Sequence, residues 1–227
     1  MKKQDFPKVV IFDLDGTLVD SAKHVASLLN NLRTQLGKPV LPVSSYVPWL
    51  SLGGVQLIQN GLEVSEADAP ELLSQFRLDY KNKPTPLDSI FPYVKEVLVE
   101  LSSRGVKRCI CTNKPRVLAE KVLNELGLIK HFDYINAGGD LPKQKPHPDN
   151  LLTCLTATKH GPEDAILIGD SVVDQKLANV CGVAFGWYSA GNNDGVNVHQ
   201  VDLVFEDFSQ LINLLETRNL NRKVNCE

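Results

Sequence analysis

Residues 9–17 read VVIFDLDGT, in which four apolar residues run directly into Asp13 and, two positions later, Asp15. An apolar run of this length, bounded by turn-forming residues, is typical of a strand that is buried on both faces of a sheet. Open α/β sheets bind their ligands at the carboxyl ends of the strands. We therefore expect residues 9–12 to form the first strand, with both aspartates at the ligand-binding edge.

The same kind of apolar run recurs along the chain and alternates with helical patterns. Five further strands are predicted at residues 108–112, 134–137, 165–169, 183–186 and 203–205. Apolar residues at helical spacing predict helices at residues 94–103, 115–126, 149–158 and 173–180. Strands that alternate with helices indicate an α/β fold, here a doubly wound, Rossmann-like parallel sheet.

One segment breaks this alternation. Residues 21–83 carry helical patterns, at about 21–36 and 65–80, and no convincing strand. We predict an α-helical domain that is inserted between the first and second strands, while the rest of the chain forms the core. The predicted boundaries are residues 20–86 for the inserted domain, and residues 1–19 and 87–227 for the core.

The composition limits the classes of function. The 227 residues are 43% hydrophobic and 22% charged, and the formal net charge is −3. No basic surplus points to nucleic acid, and no apolar stretch is long enough for a signal peptide or a membrane span. We therefore expect a cytoplasmic monomer or homodimer with no nucleic-acid partner and no membrane partner.

The five cysteines are odd in number and include no pair with CxxC spacing. We expect reduced thiols, mostly buried, rather than a disulfide framework or a zinc site. Cys109 and Cys111 alternate along the predicted second strand, so they share one of its faces.

Polar residues follow the ends of several predicted strands. They are Asp13 and Asp15 after the first strand, Thr112 and Asn113 after the second, Asp170 after the fourth, Asp174 four residues later, and Lys145 shortly before the helix at 149–158. Because the carboxyl ends of parallel strands meet at one edge, we expect these side chains to converge. The carboxylates of Asp13, Asp15 and Asp170 suit Mg²⁺, which prefers oxygen ligands and would offset their mutual repulsion.

Together these residue types suit phosphoryl transfer. Asp13 can attack phosphorus and form an acyl phosphate. Asp15 can protonate the leaving oxygen and later deprotonate the water that hydrolyses the intermediate. Thr112 and Asn113 offer hydroxyl and amide donors to the phosphate oxygens. Lys145 adds positive charge where negative charge gathers in the transition state.

Several of these positions allow other interpretations. Lys145 competes with Lys143, and we favour Lys145 because it directly precedes Pro146. Lys114 is expected only to mark the start of the next helix. Asp174 could also be an acidic residue that the helix dipole stabilises.

The inserted segment is harder to interpret. His24 and Trp49 could face the substrate, or they could serve packing or lie on the surface. Gly53 and Gly54 could form a loop that touches the leaving group, or they could simply break a helix.

Four motifs resemble those of the haloacid dehalogenase superfamily of phosphatases. They are DLDGTL at residues 13–18, TNK at 112–114, KP at 145–146 and GDSVVD at 169–174. The resemblance implies that Mg²⁺ is bound by the Asp13 carboxylate, the Asp15 backbone carbonyl and Asp170. Asp174 would not bind the ion directly but would orient its ligands through water or hydrogen bonds. The inserted segment resembles the cap of the first subclass of this superfamily, which implies that residues 20–86 set substrate specificity and that the rest of the chain is the catalytic core.

Within the superfamily the chain looks closest to the phosphoglycolate phosphatases. The main reason is the stretch GGDLPKQKPHPD at residues 138–149, together with TNKP at 112–115. The resemblance implies a phosphoric monoester hydrolase that acts on a small phosphorylated metabolite, with hydrolysis of 2-phosphoglycolate to glycolate as the first expectation.

Three alternatives stay open: a phosphatase of another sugar or amino-sugar phosphate, a phosphomutase of the β-phosphoglucomutase type, and a binding module without activity. Metal-dependent release of inorganic phosphate would separate the hydrolase from the mutase. A dehalogenase is disfavoured because it has no use for Asp15 as an acid.

Overall fold

The fold is a six-stranded parallel sheet, seen in a computed structural model that describes residues 6–50, 54–191 and 195–217. The strands are β1 (Val9–Phe12), β2 (Lys107–Pro115), β3 (Tyr134–Gly138), β4 (Ala165–Gly169), β5 (Ala184–Tyr188) and β6 (Leu203–Phe205). Their order across the sheet is β3-β2-β1-β4-β5-β6, and every neighbouring pair is parallel. The predicted doubly wound α/β fold is confirmed, and β1 lies at the centre of the sheet.

The described helices follow in chain order. They are α1 (Ala22–Gln35), α2 (Val47–Leu50), α3 (Gly54–Leu62), α4 (Ala69–Asn82), α5 (Val94–Ser103), α6 (Arg116–Glu125), α7 (Asp149–Thr158), α8 (Val172–Val180) and α9 (Leu211–Thr217). The first four lie between β1 and β2, so the inserted segment is helical as predicted. It holds α2 and α3 in addition to the two helices that the sequence pattern indicated. No described helix has the length and apolar character that crossing a membrane would need.

Apolar residues cover both faces of the sheet, which explains why β1 has no polar residue. Val10 and Phe12 join a large core cluster on one face, which continues into the apolar residues of α1, α3 and α4. Val9 and Ile11 join a second cluster on the other face, beside α7 and α8. A strand between two helical layers has no face left for water.

The buried cysteines lie in the second cluster. Cys109, Cys111 and Cys154 are buried and free, and Cys181 is free and half-buried. The expectation of unpaired, mostly buried thiols is confirmed for these four residues, and Cys109 and Cys111 share a face as predicted. Cys226 lies outside the described residues.

Strand β2 corrects one sequence-based expectation. The pattern predicted a strand that ends at residue 112 and a helix from residue 115. Instead β2 continues to Pro115, and its register with β3 shifts between Cys111 and Pro115, where Pro115 pairs with Gly138. A Cβ on Gly138 would overlap the backbone oxygen of Asn113. Glycine at this position therefore allows β2 to run beside β3 beyond the regular register, and Lys114 lies on the strand rather than at a helix start.

Candidate active site

The predicted residues converge at the carboxyl edge of the sheet, around the ammonium group of Lys145. Its Nζ lies 2.8 Å from Asp13 Oδ1 and 2.8 Å from Asp174 Oδ1, and it donates a hydrogen bond of 2.9 Å to the Cys111 carbonyl. All four residues are buried. Lys143, the competing lysine, is exposed. The structure therefore brings Lys145, as favoured from the sequence, against the predicted nucleophile.

Burial dominates the electrostatics of this pair. It raises the pKa of Asp13 to about 6, because the nearby Lys145 offsets only part of the desolvation and Asp174 adds repulsion. Burial by itself lowers the pKa of Lys145, but the carboxylates of Asp13 and Asp174 outweigh it and hold that pKa above its usual range. The cluster thus carries more negative charge than one lysine balances, and an added cation would be stabilised here.

Asp174 is fully buried at the start of α8 and is held on both carboxylate oxygens. Oδ2 accepts hydrogen bonds of 2.6 Å from Ser171 Oγ and 3.3 Å from Ser171 N, while Oδ1 accepts from Lys145. Asp174 N in turn donates to Ser171 Oγ at 3.3 Å, and this bond forms a capping box with the one from Ser171 N. A Cβ on Gly169 would lie 2.5 Å from the Asp174 Cβ, so glycine is needed for this close approach. Asp174 therefore holds Lys145 in place, and its location outside the metal's direct ligands stays a prediction.

Asp170 lies one residue beyond β4 and is 1% exposed. The Thr17 hydroxyl donates to its Oδ1 at 2.9 Å. Thr17 belongs to the DLDGTL motif, but its residue type alone did not indicate this contact. A Cβ on Gly191 would overlap both Asp170 and the Gly16 carbonyl. No sequence signal marked Gly191, since it reaches the site only through folding of the loop after β5.

Three carboxylates are close enough to share one cation. Asp13, Asp170 and Asp174 each offer an oxygen, and these oxygens lie within 4.8 Å of one another. Carboxylate oxygens are the ligands that Mg²⁺ prefers. Both oxygens of Asp174 are already engaged, by Ser171 and by Lys145, whereas Lys145 contacts Asp13 at Oδ1. Asp13 is therefore better placed than Asp174 to hold an ion together with Asp170.

The Asp15 carboxylate lies outside this group and has a different partner. Lys114 Nζ lies 3.0 Å from Asp15 Oδ1 and 3.1 Å from Oδ2. The Asp15 side chain is 27% exposed, whereas that of Lys114 is only 6% exposed. The Asp15 carboxylate is therefore not part of the acidic cluster. Metal binding by the Asp15 backbone carbonyl stays a prediction.

Thr112 and Asn113 follow each other on β2 but differ in what they can offer. The Thr112 hydroxyl accepts a hydrogen bond from Lys114 N at 3.2 Å and keeps its own proton to donate. The Asn113 side chain accepts from Lys145 N at 2.8 Å and donates to Lys145 O at 3.2 Å. The Asn113 side chain thus clamps the backbone of Lys145 with its oxygen and one of its two N–H groups. Its second N–H group is left over, and the contact with phosphate stays a prediction.

A cavity of about 130 Å³ joins these groups to the inserted segment. On the core side its lining includes Asp13, Asp15, Thr112, Asn113, Lys114, Lys145 and Asp170, and on the segment side Ser21, Val25, Leu50, Leu57, Leu73, Phe76, Arg77 and Tyr80. Gly54 also lines it, whereas Gly53 lies outside the described residues. The segment side is thus mostly apolar, with one charged residue.

The two aromatic candidates of the segment do not line the cavity. His24 packs edge-on against Tyr80, with ring centroids 4.8 Å apart. Trp49 is partly buried against the large core cluster. Both therefore serve packing in this structure. Arg77 and Tyr80, which do line the cavity, carried no sequence signal beyond their place in a helical pattern.

The chain resembles known proteins along most of its length. The family model "Haloacid dehalogenase-like hydrolase" matches residues 10–188. A phosphoglycolate phosphatase of Nitrosococcus oceani is 32% identical over 217 residues, with 92% of this chain and 96% of that protein covered. One of Pseudomonas syringae pv. syringae is 31% identical, with 91% and 79% covered. A crystal structure described as a predicted phosphoglycolate phosphatase from Haemophilus somnus superposes with a TM-score of 0.83 at 25% identity, covering 92% of this chain and 98% of that one.

Proposed function

The chain belongs to the haloacid dehalogenase-like hydrolases, and we propose that it hydrolyses a small phosphomonoester through an aspartyl-phosphate on Asp13, with Mg²⁺ as its cofactor. One observation carries the proposal: the buried Asp13 carboxylate, 2.8 Å from the Lys145 ammonium, lines a cavity that Asp170 also lines. An anionic nucleophile beside a buried cation, where an ion can bind, suits attack on a phosphate group.

The acidic cluster fits Mg²⁺ by its donor set and by its charge. Asp13 and Asp170 would hold the ion, with the Asp15 carbonyl as a further ligand. When bound, the ion supplies positive charge beside the phosphate oxygens. It would also favour the ionised form of Asp13, whose pKa burial raises to about 6.

The residues of the chain divide the reaction between them. An Asp13 oxygen bonds to phosphorus as the bond to the leaving oxygen breaks, and Asp15 gives that oxygen its proton. Water then attacks phosphorus, Asp15 takes up the proton of the water, and release of phosphate restores the Asp13 carboxylate. The Thr112 hydroxyl and the Lys145 ammonium hold phosphate oxygens through both steps.

For the substrate, we propose 2-phosphoglycolate. The cavity of about 130 Å³ is smaller than the roughly 300 Å³ or more of sites for drug-sized ligands, which favours a short leaving group. Arg77 on α4 lines the cavity, and within the described residues no carboxylate pairs with it, so it can receive the substrate's own carboxylate. Relatives named phosphoglycolate phosphatase support the same substrate.

The alternatives fit the lining less well. A phosphatase of sugar or amino-sugar phosphates, or a β-phosphoglucomutase-like enzyme, would need partners for several hydroxyl groups. On the segment side the cavity instead presents the apolar side chains of Val25, Leu57, Leu73 and Phe76. An unpaired hydroxyl against such a wall would lose its hydrogen bond to water.

We also propose that residues 20–86 act as the cap that selects the leaving group, while residues 1–19 and 87–227 form the catalytic core. The cavity supports this division, because its reactive groups come from the core, whereas Arg77 and the four apolar side chains come from the segment.

A phosphate-release screen tests the proposed reaction and its substrate. The panel holds 2-phosphoglycolate, sugar phosphates, amino-sugar phosphates and nucleotides, each with Mg²⁺ and with EDTA. We expect metal-dependent release from 2-phosphoglycolate and none from Asp13→Asn. Full activity in EDTA, or wild-type turnover by that variant, would overturn the reaction, while an isomerised product without free phosphate would identify a mutase.

Arg77 provides a separate test of the carboxylate assignment. Arg77→Gln should raise KM for 2-phosphoglycolate on the order of 10-fold, because it removes one charge-assisted contact, and should leave KM for ethyl phosphate unchanged. Lys81→Gln is the matched control, since Lys81 is an exposed cation on the same helix and does not line the cavity. Identical KM values for the two variants would refute the role of Arg77.

A further inference from the structure

Lys114 links the acid–base residue of the site to the inserted segment. Its Nζ contacts both oxygens of Asp15, at 3.0 and 3.1 Å, across 99 residues of sequence. The same Nζ lies 4.3 Å from the centre of the Tyr80 ring on α4. A cation over the face of a buried aromatic ring is stabilised by the ring's electrons. One ammonium group thus joins the loop after β1, the end of β2 and the segment.

The backbone directs Lys114 to this position. Because β2 continues to Pro115, Lys114 lies on the strand, two residues after Thr112. It lines the same cavity as Asp15. Its side chain is only 6% exposed, so the ammonium has little access to water. A buried cation needs partners, and Asp15 and Tyr80 are the ones that it has.

Tyr80 is itself held firmly. It is 2% exposed, and the rings of His24 and Phe76 lie 4.8 and 6.0 Å away. A ring packed in this way offers Lys114 a fixed surface, so the position of the ammonium is determined from two sides. Because the Lys114 Nζ lies at nearly equal distances from the two Asp15 oxygens, the ammonium attracts both of them and holds that edge of the group towards itself.

We propose that Lys114 is a positioning residue that holds the Asp15 carboxyl group in the orientation for giving its proton to the leaving oxygen, and that Tyr80 fixes the position of Lys114. The inference rests on the proposed function, in which Asp15 is the acid. Without the ammonium, the Asp15 side chain would turn among its rotamers, and little of the population would point at the leaving oxygen.

Leaving groups of different basicity separate this role from a structural one. Glycolate is a basic leaving group and needs the proton of Asp15, whereas 4-nitrophenolate leaves without one. We expect Lys114→Met to slow the first step with 2-phosphoglycolate by about 100-fold. With 4-nitrophenyl phosphate it should change the first step by less than about 3-fold.

The second step adds a distinct kinetic signature. Hydrolysis of the aspartyl-phosphate needs Asp15 as a base for either substrate, so turnover of 4-nitrophenyl phosphate should slow after the first turnover. Stopped-flow mixing of Lys114→Met with 4-nitrophenyl phosphate should therefore show a burst of nitrophenolate and then a slow steady state. Lys114→Arg keeps a cation against Asp15 and should recover much of the 2-phosphoglycolate rate.

Two more variants complete the experiment. Tyr80→Leu removes the ring against which the Lys114 ammonium lies. We expect it to slow the first step with 2-phosphoglycolate by about 10-fold, without a comparable effect on 4-nitrophenyl phosphate. Lys121→Met is the matched control: Lys121 Nζ also lies near the Tyr80 ring, at 6.0 Å, but pairs with Glu125 rather than Asp15. It should keep wild-type kinetics. Thermal melts check that each variant folds. If Lys114→Met does not fold, the kinetics of Lys114→Arg and Tyr80→Leu provide the test.

The possible failures can be told apart. Equal slowing of the first step for both substrates, or a change in KM alone, would overturn the positioning role and assign Lys114 to structure or to substrate binding. A wild-type protein that releases no phosphate from any ester would overturn the proposed function itself.

Discussion

Replacing Gly169 with alanine tests how the site is held against the sheet. Gly169 ends β4, and a Cβ there would lie 2.5 Å from the Asp174 Cβ and 2.6 Å from its Oδ2. Ordinary contact begins at 3.4 Å, so Asp174 must move away by about 0.9 Å. A shift of that size along the direction of the 2.8 Å contact with Lys145 would exceed hydrogen-bonding distance.

This displacement has two expected consequences. Overpacking at a buried position costs about 1–3 kcal/mol, and each kcal/mol lowers Tm by about 2–4 °C in a chain of this length. Lys145 would also lose one of the two carboxylates that hold it beside Asp13, and misplacement of a reacting group by about 1 Å can lower kcat by on the order of 100-fold.

Gly186→Ala is the matched control on the neighbouring strand β5. Its Cβ would also meet a side chain at 2.5 Å, but that atom is Ile168 Cδ1, the movable end of an aliphatic side chain. We expect a loss of stability without a change in kcat. Thermal melts and phosphate release at saturating substrate and Mg²⁺ measure both quantities. If Gly169→Ala were destabilised like the control and kept wild-type kcat, the position of Asp174 against Gly169 would have no part in catalysis.

The metal, the nucleophile and the buried thiols give three further tests. Mg²⁺ at about 100 times its Kd should stabilise the wild type by about 2.7 kcal/mol, and equal thermal stabilisation of Asp170→Asn would contradict the metal assignment. The second test is made in EDTA, so that no metal is bound. Burial raises the pKa of Asp13 in the folded protein to about 6, so as the pH rises the unfolded chain loses this proton before the folded chain does. The free energy of unfolding should then fall by up to about 3 kcal/mol between about pH 4 and 6, and urea titrations of Asp13→Asn should lack this decline. Hydrogen bonding to Cys109 and Cys111, together with burial, raises the pKa of Cys154, so mass spectrometry should find Cys154 unmodified by iodoacetamide unless urea is added.

Much of the fold could be predicted because its signals are local. An all-apolar run such as Val9–Phe12 can be buried on both faces only in a sheet that helices cover on both sides, and the structure has this arrangement. The short helices α2 and α3 were missed because α2 has only four residues and α3 begins at Gly54, where the sequence pattern suggested a loop or a break.

Some residues of the candidate site could be predicted from local sequence signals and others could not. Asp13 and Asp170 could be found because each directly follows a strand whose apolar pattern is unmistakable. The contact of the Asn113 side chain with the Lys145 backbone was missed, because it forms only when residues 32 apart in sequence meet. Arg77 looked like any surface cation of an amphipathic helix until the cavity showed what it faces.

Gly138 shows why such contacts escape a motif-based interpretation. The residue belongs to β3 and carries no reactive group, yet a side chain there would collide with the Asn113 carbonyl on β2. Only with glycine can β2 continue past its regular register, and that continuation places Lys114 beside Asp15 and Asn113 beside Lys145. The motif at residues 112–114 names the side chains, but the backbone contact at Gly138 decides which groups they meet. The roles of Lys114 and Asn113 therefore depend on the pairing of β2 with β3 as much as on their own residue types.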